Sequence, residues 1–558
     1  MKHAGWLLAL MFPAKVFGIG ADENTRPTPP PEARYREKPV ESAPRSGDGV
    51  VEDEQQVLVD SLAGVAVGPN AATALRLQRQ TRAGVSVEGF DEAEAALIRR
   101  IAAKYIGKPV RLASLNAMVG DIESAFRRRG SVLRRVSYPP QEITTGVVAL
   151  RAGRAGVGRL RLAGAPSFGA GFALRSWSAL PGRPLDEARL LDDLDWLNEN
   201  PLRRATVSQS PGGDPDEIDL TLRLRSPRPW RVYGGIDNQL SENLGDERLF
   251  LGWQYGDLFG LDHRFTGQLT SALEEGALLG ASVIHEIPLP GRHLLGISGG
   301  YTESETDLPG PLDQSGDFAR VALEHRWMFP RWRSLAHEWR SGMEFRNNDY
   351  LFPGGTDRTV RFFQIETGWK GKRPDRYGMT ALECGLLWNP GQGVLGSDDE
   401  DYIALGADGA ESLILRADLE RSLRLGKAGS LMSRLRAQWA DSALLSSDQI
   451  SAGGMTRVRG FDEIVGYASS GMIATLEWQS PVWNPSPSAD LLGVCFLDGA
   501  LLDRDQPGDP GQLLSAGFGC RWRWTEQCYG RLECGFPLDC PDDIDSDPML
   551  HFAVGFNW

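Results

Sequence analysis

Near the end of this 558-residue chain a long break, residues 440–467, separates two strand-like stretches. It holds Gly453, Gly454, Met455, Thr456, Arg457, Val458, Arg459, Gly460 and Phe461, with Gly466 further on. A loop of this length ordinarily has a function or no fixed structure. Two arginines on a glycine-rich loop can reach into a polar interior. An arginine buried there needs a carboxylate, because an unpaired charge away from water is costly. Asp498 lies on a later strand whose Val494 and Phe496 share its face, and it is the candidate partner of Arg459. On the residues alone, a solvated glycine-rich loop beside an unrelated aspartate is the simpler account.

No catalytic set competes with this loop. His263, His285, His293, His325, His337 and His551 are scattered and read as barrel-wall residues, and no serine, histidine and acid group stands out. The glycine-rich runs lack the strand-to-helix setting of a phosphate-binding fingerprint, and Gly107 to Pro109 reads as a helix stop. A net charge of -14 argues against a nucleic-acid partner. Four of the six cysteines, Cys520, Cys528, Cys534 and Cys540, cluster late in the chain. A turn near Thr525 would set Cys520 opposite Cys528, and Cys534 would reach Cys540 around a loop, so disulfides are expected there. No Cys-x-x-Cys pair is present, and neither a metal nor another cofactor is expected.

The loop must be positioned by strands. From residue 230 onward, sixteen candidates follow one another: 230–239, 247–256, 261–271, 277–287, 292–302, 316–327, 334–346, 358–370, 375–388, 411–422, 428–439, 468–479, 491–501, 512–522, 527–537 and 549–558. Several alternate cleanly: Leu413, Leu415, Ala417 and Leu419 oppose Arg416, Asp418 and Glu420. In the last, Phe552, Val554, Phe556 and Trp558 share one face and His551, Ala553, Gly555 and Asn557 the other. One apolar and one charged face suit a barrel with a wet lumen, and an aromatic end suits the boundary between lipid and water. A closed barrel needs every edge paired, so 549–558 should zip to the first strand.

Upstream, two α/β units of β-α-α-β-β order precede the strands, 81–154 and 155–228. In the first, Asp91 caps a helix carrying Leu97, Ile98, Ile101 and Tyr105, and Leu112, Leu115, Met118, Ile122 and Phe126 stripe a second. In the other, Leu190, Leu194 and Leu197 stripe a helix closed by Asn200 and Pro201. Residues 1–21 read as an export signal: Lys2 and His3 precede the apolar Trp6 to Phe12, and small residues follow. Residues 22 to about 55 have linker composition, and 56–80 fit either a strand and a helix or one amphipathic element.

Taken together, these features resemble the two-partner secretion transporters of the FhaC, ShlB, HecB and CdiB type, within the BamA-type superfamily. Val458, Arg459, Gly460 and Phe461 match that family's Val-Arg-Gly-Phe/Tyr loop motif. Gly453, Gly454, Gly466 and Glu477 match the residues around it. Phe496 and Asp498 match its Phe-x-Asp-x-Gly strand, although the glycine comes one place early, at Gly499, with Ala500 in its usual position. In the modules, the matching residues are Leu180, Gly182, Leu185, Leu197, Asn198, Asn200, Pro201, Pro211 and Gly212, with Gly130, Pro139, Pro140 and Gln141 in the first.

The resemblance implies two POTRA modules in the periplasm before a sixteen-stranded outer-membrane barrel, 229–558, whose loop 440–467 folds inward. It places a plug helix and linker within 22–80, although Val57 to Val67 look more like a strand. It implies an Arg459–Asp498 ion pair and no active site. The expected partners are a large secreted exoprotein of the hemolysin, adhesin or contact-dependent toxin type, outer-membrane lipids and lipopolysaccharide, and the barrel-assembly machinery. The rival readings are a BamA-type assembly factor, a passive porin or an enzymatic barrel.

Overall fold

The computed structural model describes residues 57–558, apart from 129–133, 155, 165–167, 214–216, 226–227, 241–244, 275–276, 305–315, 351–357, 392–394, 504–510, 526 and 543. The expected export signal, most of the linker and Gly130 lie outside the described residues.

In the barrel unit, strands Trp230–Asp237, Arg248–Leu258, His263–Ala272, Leu278–Leu289 and those after them pair antiparallel with their neighbours. The sheet closes where Trp230–Asp237 meets Met549–Asn557, with Gly234 opposite Phe556 and Ile236 opposite Val554. Gly471–Gln479 and Trp483–Ser486 both pair with Ala489–Leu502, so they are two halves of one wall position and the barrel has sixteen. Pro481, which cannot donate to a ladder, lies in the gap between the halves.

Alternation decides which way each side chain points. Leu249, Leu251, Trp253, Val321, Leu323, Trp339, Leu415, Leu419, Leu497 and Phe556 are exposed on the outer wall. The charged positions between them turn inward and pair across the strands. Glu420 lies opposite Arg434 with their side chains 2.7 Å apart, and Arg264 lies opposite Glu286 at 3.1 Å. Cross-strand pairing is the cheapest way to keep such charges off the outer face, since direct neighbours on one face are only about 5 Å apart.

The expected disulfides are absent; all six cysteines are free. Register explains it. Cys520 lies opposite Leu532 and Cys528 opposite Trp524, so four strand positions, roughly 13 Å, separate the two cysteines. A disulfide needs Cα atoms about 5.5–6 Å apart. Cys534 shares the outward face of Leu532 and Phe536, whereas Cys540 packs against the apolar base of the long loop. The denatured, unreduced chain should therefore take up a thiol label at all six cysteines, read by intact mass. A smaller uptake than in the reduced chain would restore a disulfide.

The module unit holds two small sheets. In the first, Gly64–Gly68 is central, parallel to Gly84–Val87 on one side and Val147–Arg154 on the other, with Arg134–Ser137 antiparallel at the far edge. Helices Ala71–Gln80, Glu92–Ala102 and Leu112–Arg128 belong to the same module, and Ile98, Met118, Ile122 and Phe126 are buried with Val65, Val67, Val148 and Leu150. Asp91 caps the second helix by accepting the Glu94 N–H at 2.7 Å. The sheet therefore begins upstream of residue 81, with a strand and a helix added ahead of the β-α-α-β-β core. Gly64–Gly68 is buried along its whole length, so it shows no alternation to read. Gln141 ties the turn to the sheet, accepting the Ala149 N–H at 2.6 Å and donating to the Ala149 carbonyl at 2.8 Å.

The second module has the simpler sheet, in which Gly156–Ala163 runs parallel to Glu217–Arg225 and Arg204–Pro211 pairs antiparallel on its other side. Leu185 and Leu197 are buried in its core, and Asn198 brackets Ala205 with two hydrogen bonds to its backbone. Gly156–Ala163 and Arg204–Pro211 are the sheet's two edges.

Candidate functional site: the loop inside the barrel

Among the described residues no helix is long and apolar enough to cross a membrane; the strands of the closed barrel form the candidate span. The long loop is not a solvated excursion. Ile450–Ala452 and Gly466–Ala468 pair as a short antiparallel stem. Above that stem the chain turns back tightly, with the Gly454 N–H donating to the Phe461 carbonyl at 3.2 Å. Val458 and Phe461 pack with Ile473, Ala500, Leu502 and Leu513 of the wall, which anchors the loop by burying apolar surface. Arg457 pairs with Glu463 at 3.2 Å within the loop, and Glu463 also accepts the Met455 N–H. Gly454 has φ 79°, and a Cβ there would fall 2.1 Å from the Glu463 carboxylate, so this turn demands glycine on both counts.

Arg459 carries the tip into the wall. Its Nε donates to Asp498 Oδ2 at 2.7 Å and its Nη2 to Oδ1 at 3.0 Å, a bidentate fork. Its Nη1 reaches Glu477 at 2.6 Å and Glu533 at 2.9 Å. The guanidinium lies 3.6 Å from the centre of the Phe496 ring, close enough for a cation–π contact. Asp498 and Glu533 have no exposed surface.

Three carboxylates around one arginine would repel one another, and two further arginines offset them. Arg521 bridges Glu477 and Glu533 at 2.8 and 2.7 Å, and Arg531 meets Glu533 at 2.7 Å. Arg531 also donates to the Met455 carbonyl of the loop at 3.2 Å, and Gly460 donates its N–H to His551 Nε2 at 3.1 Å. Three positive and three negative side chains thus form one buried network across strands Gly471–Gln479, Ala489–Leu502, Gln512–Trp524 and Cys528–Asp539.

The wall beneath it is bare backbone. Gly517 makes room for the Phe496 ring, and Gly535 for the loop: a Cβ on Gly535 would lie 2.3 Å from the Gly460 nitrogen. Gly499 faces outward between Leu497 and Leu501, while the buried Ala500 joins the cluster under the loop. The one-place shift of the glycine therefore leaves the inward positions Phe496 and Asp498 in place.

A second anchor holds the loop's entry. Asp448 pairs with Arg346 at 2.6 Å, and its carbonyl accepts from Arg416 and Gln438. The sequence reading missed Arg521, Arg531, Glu533, His551 and this anchor. Those on wall strands lie at a lumenal parity, which marks them as inward but does not say what they meet, and Asp448 lies in the loop, where no parity applies.

A family model described as haemolysin secretion/activation protein ShlB/FhaC/HecB matches residues 216–522, more than half of the chain. The chain belongs to that family. A POTRA domain model of the ShlB type matches residues 81–152. The outer membrane transporter CdiB-2 of Burkholderia pseudomallei is 24% identical over 496 residues, covering 83% of this chain and 80% of the relative. The heme/hemopexin transporter protein HuxB of Haemophilus influenzae is 26% identical over 167 residues, 29% of each chain. The solved structure of CdiB from Escherichia coli shares the fold, with a TM-score of 0.68 at 16% identity over 93% of this chain and 94% of that one. As a member of the family the chain is a non-enzymatic outer-membrane translocator, its barrel in the outer membrane and its POTRA modules in the periplasm.

Proposed function

We propose that the cargo is a large exoprotein of the hemolysin, adhesin or contact-dependent toxin type, and that the Arg459 network sets the working position of the loop that the cargo must pass. The observation that carries this reading is the loop's attachment: Arg459 alone joins it to three strands through Asp498, Glu477 and Glu533. A charged network of this kind holds one geometry firmly and fails as a unit when a member is lost. The division into modules 81–154 and 155–228 and a barrel from 229 belongs to the same reading. So do the surrounding lipid and lipopolysaccharide and insertion by the barrel-assembly machinery.

The cargo would arrive unfolded in the periplasm and add a strand to an open module edge, where unpaired backbone groups and alternate side-chain contacts supply the affinity. Arg204–Pro211 offers such an edge. Folding outside the cell would draw the chain through, since no nucleotide site is needed for that step. A photo-crosslinker at Ser208 should capture the amino-terminal part of a co-expressed exoprotein during export, whereas one at Leu514 on the outer wall should not. Equal capture at both positions would sink the edge assignment. Unchanged secretion in a strain lacking the chain would remove the cargo class altogether.

A further inference from the structure

Five histidines that looked scattered along the chain come together in the fold. His263, His285, His293, His325 and His337 stand on five consecutive strands, from His263–Ala272 to Leu335–Tyr350. Each shares the parity of an exposed outward residue: Leu269, Val283, Ile297, Leu323 and Trp339 respectively. They therefore face away from the lumen. All five lie toward one end of the barrel, the end where the strands are joined by short turns such as Leu289 to His293 and Trp332 to Leu335. In outer-membrane barrels the short turns are periplasmic.

The five form a near-continuous belt with aromatic rings. The rings of His263 and His285 are 5.4 Å apart, and those of His293 and His325 are stacked at 5.1 Å with a 2.9 Å contact between ring nitrogens. Trp327 stacks on His293 and touches Phe329, and Phe329 stacks on His337 at 5.1 Å. Trp369 donates its indole N–H to His337 at 3.4 Å. All five residues are half-buried, and two ring nitrogens, His263 Nδ1 and His285 Nε2, are shielded without a hydrogen-bond partner.

Trp and Tyr are the usual interfacial residues because they carry an apolar body and one polar tip. Imidazole shares that shape and can also gain a proton near pH 6.5. The charged groups in or beside the turns that close the belt are Asp257 and Asp262 at the first, Arg292 at the second, Arg331 and Arg333 at the third, and Arg373, Asp375 and Arg376 at the fourth, where Lys372 turns inward on the face of Lys370. Around the last three turns cations outnumber acids. The outward residues beside the histidines, among them Phe265, Val283, Leu295, Ile297, Leu323, Trp327, Trp339 and Trp369, carry no charge, and the outward acids of these strands, Glu303, Asp317 and Asp349, lie at the opposite, long-loop end.

We infer that this belt binds the headgroups of anionic phospholipids in the inner leaflet, and that it binds them more tightly as the imidazoles protonate. The ligand chemistry is a phosphodiester at the depth of the headgroups. Its acyl chains would lie along Leu323, Val321 and Val283 farther up the same wall, all exposed.

The test uses the full chain reconstituted in phosphatidylcholine vesicles. Trace spin-labelled phosphatidylglycerol or phosphatidylcholine then reports the motionally restricted fraction. Phosphatidylglycerol should be preferred roughly fivefold at about pH 5.5, the scale of one cation at a lipid surface, and much less at about pH 7.5. The variant carrying His→Phe at all five positions should lose the pH-dependent part. The pair variant His293→Phe with His325→Phe should lose a share of it, which keeps the test open if the fuller variant does not fold. Excess inorganic phosphate should not displace the labelled lipid. Equal selectivity at both pH values, a pH dependence surviving in the variants, or displacement by inorganic phosphate would each overturn the assignment.

Discussion

Arg459→Ala should leave the barrel inserted and secrete no cargo. The substitution removes one cation from a buried set of three cations and three anions, and leaves Asp498 with no other side-chain cation in the network. Stranding a buried carboxylate costs about 3–5 kcal/mol. The loop keeps its apolar contacts, the Asp448–Arg346 pair and two hydrogen bonds near the tip, Gly460 to His551 and Arg531 to the Met455 carbonyl, but none of these replaces the charged hold of Arg459 on three strands. The barrel keeps its ladders and should retain its heat-modifiable mobility on gels. Arg459→Lys should rescue poorly. An ammonium is a point charge and cannot reproduce a two-nitrogen fork to Asp498 together with contacts to Glu477 and Glu533. Asp498→Ala should match Arg459→Ala. Normal secretion by either alanine variant would end the role assigned to the network.

Gly535→Ala should reproduce that loss without touching a charge. The added methyl would meet the Gly460 backbone nitrogen at 2.3 Å and its Cα at 2.5 Å. Backbone cannot rotate aside as a side-chain tip can, so either the strand bends or the loop lifts. Strand Cys528–Asp539 is paired on both sides, which makes the loop the part that yields. A lifted loop should become open to added protease at the cell surface, and secretion should fall to the level of Arg459→Ala. Combining the two changes should add little, as expected for residues serving one contact. Gly296→Ala is the control: its methyl would find nothing nearer than 3.8 Å. If Gly535→Ala secretes normally while the control does too, the close seating of the loop is not required for transport.

Most of the wall was legible because its physics is local. A strand with one oily and one wet face writes a period of two into the sequence, and all sixteen candidates fall on observed wall positions. Over 56–80 the strand-and-helix alternative is the one observed; the sequence leaves it undecided against one amphipathic element because a strand buried on both faces, Gly64–Gly68, has no period, and the helix that follows carries few large apolar residues. The ion pair between Arg459 and Asp498 could be named from its motif. Glu533 and Arg521 could not, because parity says only that a side chain turns inward. Which arginine meets which glutamate depends on the stagger between neighbouring strands, and no single strand encodes it. The cysteine expectation failed for the same reason: nearness in sequence across a turn was taken for nearness in space, when the register sets Cys520 beside Leu532. Each histidine by itself reads as an ordinary wall residue. Their common feature, a place near the short-turn end of successive strands, appears only when the strands are laid side by side.

The closing seam also bears on how the chain reaches this state. Tyr233 pairs with Asn557, residues 557 − 233 = 324 apart in sequence, whereas most other wall junctions join strands that follow one another directly. Hairpins can form early because each encloses a short segment, and the entropy of closing a segment rises only with the logarithm of its length. The seam must wait for every hairpin before it. Its ladder is short, Tyr233 to Asp237 against Ala553 to Asn557, with Val232 and Trp558 exchanging hydrogen bonds at one end and Asn238 bonding to Leu550 and Phe552 at the other. Until that step, two strand edges stand unpaired in a medium that offers no water to satisfy them. The closure is therefore most exposed to change at Gly235, where an added Cβ would lie 2.4 Å from the Val554 carbonyl across the seam.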